Sequence, residues 1–411
     1  MYLKKVIYII SFIFLLGLFA CSNEYPYDTF NTNGGETRAN SYESYGKLPM
    51  LMLTNETLLI NDSSGIIQAP IAFGPQDYII ATRSGKIIRL MDTKSKWEYQ
   101  LDSSLIALTG IAGITKDEIS AFVSSDHNLV SLNKDGKLIF KTKLEITNSK
   151  FLTYSELLAL NDAFIVGTND GFIGKYDLSG KNQKQLQFEN SITEMIASEK
   201  GIITFGVTQN LFGKSDSLII ADSDLNIKQQ ISIDNFRILH GPIIKNDKIY
   251  IAGATETENG RLGRIITYDT EGKLLHDIET DLVIRTISVD NEGNVYAAGF
   301  NSGVAELYSC LYAFDKSGVE RWLLYLKSSV NSPIIICKKY ITFVGLTTDG
   351  PGIFSIRHED GLLTRLHPLN DLPLLYLHPT VTSEPMMVLF GSDRPVIIKM
   401  TQTQLDKVLP W

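Results

Sequence analysis

The chain has 411 residues, 44% of them hydrophobic, and sets 46 acidic against 38 basic residues for a net charge of −8. That balance offers no basic face to a nucleic acid or another polyanion, so partners of that class are excluded. After the first twenty residues no apolar stretch reaches the roughly 20 residues that a membrane helix needs.

In chain order the first element is a targeting segment. Lys4 and Lys5 form a basic start, Val6 to Phe19 an apolar run, and Leu18-Phe19-Ala20-Cys21 places a small residue before a thiol. An apolar run of about 14 residues is short for a span. The arrangement resembles the bacterial lipoprotein signal, which implies that residues 1–20 are removed and that Cys21 carries diacylglyceryl and N-linked palmitate-type chains. Several buried acyl chains at about 0.8 kcal/mol per methylene hold a protein on a bilayer essentially permanently. Ser22 follows Cys21 where an aspartate would signal inner-membrane retention. By the same resemblance the protein is expected at the cell outer membrane, with a periplasmic and a surface-exposed orientation both open. Loss of Lys4 and Lys5, with no acidic residue among the first twenty, takes the net charge from −8 to −10.

Residues 21–47 are rich in Asn, Ser, Thr, Gly and Tyr and show no apolar period, as expected of a flexible tether with a root-mean-square reach of about 28 Å. Residues 48–411 read as one β-propeller domain. Within them a pattern of apolar strand, turn and second apolar strand recurs eight times. The copies begin near Tyr78, Glu118, Ala163, Gly201, Lys248, Asn294, Tyr340 and Met386. Intervals of about 40–50 residues match one four-stranded propeller blade. Four of the eight units close on an Asx turn, Asn133 to Gly136, Asp177 to Gly180, Asp269 to Gly272 and Asp315 to Gly318, and a fifth keeps only the glycine in His358 to Gly361. There Asp or Asn caps backbone N–H groups and Gly supplies positive φ. The expectation is an all-β fold of eight four-stranded blades, with seven as the alternative. Strand material from residues 48–73 would complete the last blade and remove exposed sheet edges.

Tyr312-Ala-Phe-Asp315-Lys-Ser-Gly318-Val-Glu-Arg-Trp322, with Trp97 and Trp411 at corresponding ends, resembles the repeat of pyrroloquinoline-quinone-type propellers. In plan the chain is similar to the propeller scaffold of the outer-membrane-protein assembly machine, a non-enzymatic branch of that family. The enzyme branch uses a quinone with calcium beside adjacent cysteines. Here Cys21, Cys310 and Cys337 are all apart, and no cofactor is expected. Cys310 and Cys337 are read as buried free thiols, with a disulfide between them as the alternative in an oxidising compartment.

Other motifs fail on inspection. Gly213-Lys214-Ser215 has Thr208 where a phosphate loop needs its first glycine, and Asp222, Asp224 and Asn226 have Ile233 where a calcium loop needs its glutamate. No His-x-x-x-His pair suggests a metal, and no catalytic residues are expected.

The remaining signal is geometric. Loops after the first strand of each copy lengthen at Thr208 to Asp216, Ala254 to Gly263 and Asn301 to Glu306, which predicts a raised rim on one face. Phe236, Arg237, His240, Arg285, Asn331, Tyr376 and His378 lie where the chain enters inner strands, and could line a partner- or ligand-binding mouth. Two functions are compatible with this. One is a non-catalytic, monomeric protein-interaction scaffold in the cell envelope. The other is a surface glycan binder working beside nutrient uptake. A quinone-dependent dehydrogenase is a remote third.

Overall fold

The computed structural model describes residues 71–368 apart from short intervals, together with the strand residues 29–30, 51–59, 377–381, 386–391 and 396–402. Every regular element among the described residues is a strand, and the strands form eight antiparallel sheets of four or five strands. The third sheet shows the plan: Leu158–Ala159, Ala163–Gly167, Phe172–Asp177 and Asn182–Gln187 pair in chain order. First strands of successive sheets adjoin one another, so these strands form the inner side. The eighth sheet departs from chain order. Leu51–Leu59 pairs with Val396–Gln402, Leu51 opposite Gln402, as the outer strand beyond Met386–Gly391 and Leu377–Val381.

The two apolar strands legible in each copy are thus the second and third of a sheet, not its first. Ala163–Gly167 is buried at every residue because both faces meet other sheets. Phe164 and Val166 pack with Phe140 and Leu144 of the second sheet, while Ala163 and Ile165 pack with Met195 and Phe205 of the fourth. Opposite side-chain directions at successive strand residues produce this split. The core is therefore a series of layers between adjacent sheets. Outer strands such as Asn182–Gln187 alternate half-buried and exposed residues, as one covered face requires.

The Asx turns form as expected. Asp177 Oδ1 accepts from the N–H groups of Ser179 and Lys181, at 2.9 and 3.0 Å, and Gly180 has φ of 82°. Asp315 does the same for Ser317 and Val319. These bonds favour the charged form: the Ser179 hydroxyl foremost holds Asp177 below the usual carboxylate range, and the Val319 N–H does so for Asp315. In the fourth sheet Leu225 takes the left-handed position that glycine fills elsewhere. The seventh turn is one residue longer than expected: Gly361 N–H donates to Arg357 O, and Arg357 pairs with Asp360.

Outer strands latch onto the turn of the following sheet. Trp322 of the sixth sheet donates from Nε1 to His358 O at 3.0 Å and covers Gly361, where a Cβ would fall 2.7 Å from the indole. Trp97 of the first sheet likewise donates to Lys134 O at 2.9 Å and covers Gly136. Phe140 packs over Gly180, Ile231 over Gly272 and Ile278 over Gly318, so an apolar group replaces the indole where Trp is absent. Trp322→Ala should cost about 2–4 kcal/mol, because the variant loses indole packing and leaves the His358 carbonyl without this donor. Urea unfolding of the two proteins measures it, and a loss below 0.5 kcal/mol would show the latch to be incidental.

The first two sheets carry two further fastenings. Arg89, 1% exposed, sits in the third strand of the first sheet and reaches Asp77, Glu118 and Lys134 O. Within the tether of residues 21–47, Thr29–Phe30 forms a short strand against Ala112–Ile114 of the second sheet.

Candidate functional site

The fifth sheet differs most from the others at the end where second strands turn into third strands, and the seventh is lengthened there to a smaller extent, with Tyr340–Thr347 and Gly350–Arg357 at eight residues each. In the fifth sheet Lys248–Thr257 and Gly260–Asp269 run ten residues each, against Ala163–Gly167 and Phe172–Asp177 in the third. The segment Ala254 to Gly263, read from sequence as a loop, is a continuation of this hairpin, with Thr257 opposite Gly260 at its tip. Arg261 and Glu256 pair across it at 2.8 Å. The hairpin carries four residues beyond Gly253, and its extra length over the six-residue strand Val295–Phe300 projects it roughly 10 Å further. Residues 209–214 and 301–308, most of the other two long loops, lie outside the described residues.

Beneath this hairpin the inner strands bulge. A Cβ on Gly253 would lie 1.8 Å from Arg237 O, so only glycine lets the inner strand cross so closely. The register then shifts between Ile238 and His240, which turns Leu239 out to 39% exposure. In the sixth sheet the shift between Ile284 and Thr286 presents Arg285 at the equivalent position. In the fourth, a shift between Ile192 and Met195 frees Thr193 Oγ1 to accept from Gly206 N–H at 2.9 Å.

Two acids of the fourth sheet hold the fifth sheet's inner strand. Asp216, with its side chain 1% exposed, accepts from Ile238 N–H at 2.7 Å and lies 3.8 Å from Arg237 Nη1. Glu194 Oε2 accepts from Gly241 N–H at 3.0 Å. A buried carboxylate costs several kcal/mol unless such partners compensate, so Asp216 and Arg237 define this strand's position as well as its charge.

The expected binding residues therefore separate. Phe236 is fully buried in the layer between the fourth and fifth sheets, with the Arg264 guanidinium 5.7 Å over its ring. It is a core residue, because alternation along Phe236-Arg237-Ile238 turns it inward, and it presents nothing to a ligand. Arg237 and His240 are half-buried on the same strand, and Arg285 is exposed on the adjoining inner strand. His378 lies on the first strand of the eighth sheet, opposite Phe390. Asn331, Tyr376, Cys21, Cys337 and Trp411 fall outside the described residues. Asp216, Glu194 and Leu239 were not legible in the sequence, since their roles depend on a neighbouring sheet or on Gly253.

A second, polar groove of about 430 Å³ lies between the third and fourth sheets, lined by Asp162, Lys175, Asp177, Lys184 and Asp224. Its cations are taken up by the next sheet's turn: Lys175 pairs with Asp224 at 2.9 Å and Lys184 donates to Asn226 at 2.6 Å. The groove is a fastening between sheets. Asp222 serves as the Asx residue of that turn, its Oδ1 accepting from Asp224 and Asn226 N–H.

Among the described residues no group of three His, Cys, Asp or Glu side chains is placed to hold a metal ion. Cys310 is a buried free thiol on Ser309–Phe314, and burial pushes its pKa up to about 11.

No known protein-family model matches the chain, and no curated protein matches it in sequence. Solved structures do match in fold. BamB from Moraxella catarrhalis superposes with a TM-score of 0.60 at 17% identity, covering 86% of this chain and 100% of that one. The Dos1 propeller gives 0.61 at 12% identity, covering 86% and 95%. A europium-containing methanol dehydrogenase gives 0.60 at 11% identity, covering 87% and 88%. The fold is a β-propeller, a fold that carries unrelated functions.

Proposed function

We propose that this propeller is a lipid-anchored, non-catalytic interaction scaffold of the cell envelope, held at the outer membrane through Cys21. Its eight sheets are read as eight blades, ringed by the pairing of Leu51–Leu59 with Val396–Gln402. The observation that carries the reading is the long hairpin of the fifth sheet and the bulged inner strands beside it. A projecting hairpin stands over inner strands that bulge to present Leu239 and Arg285, an apolar and a cationic group side by side in the ring. Arginine and apolar anchors at the centre of a patch dominate protein recognition, and a rim around them excludes water. The lipoprotein-like signal at Cys21 supplies the address, and the likeness to BamB over the whole of that chain supports a propeller body behind it.

Two results test this. Cys21→Ser should abolish incorporation of labelled fatty acid and move the protein out of the outer-membrane fraction; unchanged fractionation would reject the anchor. A photo-cross-linking residue at Glu258 or Arg285 should capture an envelope protein in cells, whereas one at Lys316, at the opposite end of the sheets, should not. If neither Glu258 nor Arg285 captures protein while the purified propeller is retained on a glycan array, the scaffold reading gives way to glycan binding.

A further inference from the structure

We infer that the N-terminal segment is threaded along the inner edge of the second sheet, and that this threading decides which end of the propeller faces the membrane. The orientation rests on the proposed lipid anchor; the threading rests on the pairing alone. Thr29 lies opposite Ile114 and Phe30 opposite Gly113, antiparallel. Ala112–Ile114 is the innermost strand of its sheet, bonded on its other edge to Ile119–Val123, so Thr29–Phe30 takes the edge that would otherwise face the middle of the ring.

The direction of that pairing is informative. Ile114 ends its strand at residues 115–118, the turn into the second strand. In an antiparallel meander alternate turns fall at the same end, so the Asn133 to Gly136 turn lies at that end too. Thr29 is level with this end and Phe30 one step further in. The chain therefore arrives from the Asx-turn end, opposite to the end where the Lys248–Thr257 and Gly260–Asp269 hairpin projects.

The direction of pairing sets the orientation. Cys21 precedes Thr29 by only eight residues, which span at most about 29 Å when fully extended. Continued in the direction of the pairing they leave at the Asx-turn end, whereas reaching the other end would require the segment to double back at Thr29 and cross the middle of the ring beside Phe30. A bilayer holding the Cys21 lipid thus faces the Asx turns. The hairpin end points into the aqueous compartment, and its partner is a water-exposed protein domain rather than a lipid surface.

The experiment has two parts, both in full-length lipidated protein carrying Cys337→Ser. In the first, Thr29→Cys with Ile114→Cys should close a disulfide on mild oxidation, since directly opposed strand residues lie within its Cα range of about 4.4–6.8 Å. In the second, a fluorescent donor is placed on Lys316→Cys, in an Asx turn, or on Glu258→Cys, at the hairpin tip. The protein is then reconstituted on phosphatidylethanolamine and phosphatidylglycerol vesicles that carry a headgroup acceptor. Energy transfer from Lys316→Cys should exceed that from Glu258→Cys several-fold. Failure of the disulfide to form overturns the threading. A disulfide in protein that does not bind vesicles overturns the anchor, and the orientation with it. Equal or reversed energy transfer in vesicle-bound, disulfide-forming protein overturns the orientation alone.

Discussion

Arg89→Met should lower the stability of the propeller by about 3–5 kcal/mol, read as a shift in the denaturant midpoint at constant slope. The guanidinium is 1% exposed and clasps Asp77 bidentately, Nε to Oδ1 at 2.8 Å and Nη2 to Oδ2 at 2.7 Å. Nη2 also lies 2.7 Å from Glu118 Oε2 in the second sheet, and Nη1 donates to Lys134 O at 3.2 Å. Methionine keeps most of the stem's volume but leaves the buried Asp77 carboxylate without its counter-charge, and that orphaned charge is the main cost. Replacing both partners, Asp77→Leu with Arg89→Met, should recover most of the loss, because apolar groups of similar size fill the site without a charge to desolvate. If the single variant loses less than 1 kcal/mol, water reaches the group and the clasp is a surface pair.

The second large effect concerns the outer strand of the eighth sheet. Deleting residues 48–59 removes the partner of Val396–Gln402 and exposes its N–H and C=O groups along six paired positions, from Gln402 to Val396. With roughly 2–4 °C of melting temperature lost per kcal/mol in a large domain, a fall of about 10 °C or more is expected. Deleting residues 32–39 instead should leave melting within about 2 °C, because the residues that remain between Phe30 and Leu51 still span about 40 Å when extended. Equal melting of the two truncations would reject the ring closure and favour an open stack of sheets.

The fold was largely legible in the sequence because of where the second and third strands lie. Runs such as Ala163–Gly167 and Ser309–Phe314 are buried at every position, so they read as uninterrupted apolar strands between turns. The Asx turns were legible because their chemistry is local: Asp315 bonds to residues two and four ahead of it. Inner strands were harder. Leu158–Ala159 is two residues long, and Ile335–Ile336 is split from Ser329–Val330, so neither shows a period. The hairpin end was legible only as loop length. Phe236 was read as lining a binding mouth from its place at an inner-strand entry, but the layer between two sheets claims it. The prominence of Leu239 and Arg285 comes from register shifts, and at Leu239 the shift depends on Gly253 in another strand, so no local pattern announces it.

The latches between sheets all point the same way: an outer strand reaches forward over the turn of the next sheet. Contacts between sheets are accordingly polar in sequence, like tiles laid with one overlap. A turn that loosens uncovers the aromatic or aliphatic group behind it and should raise amide exchange first in the preceding sheet's outer strand. Disturbance at Gly361 would thus appear at Glu320–Leu326 before it reaches residues later in the chain, and exchange would spread backward around the propeller.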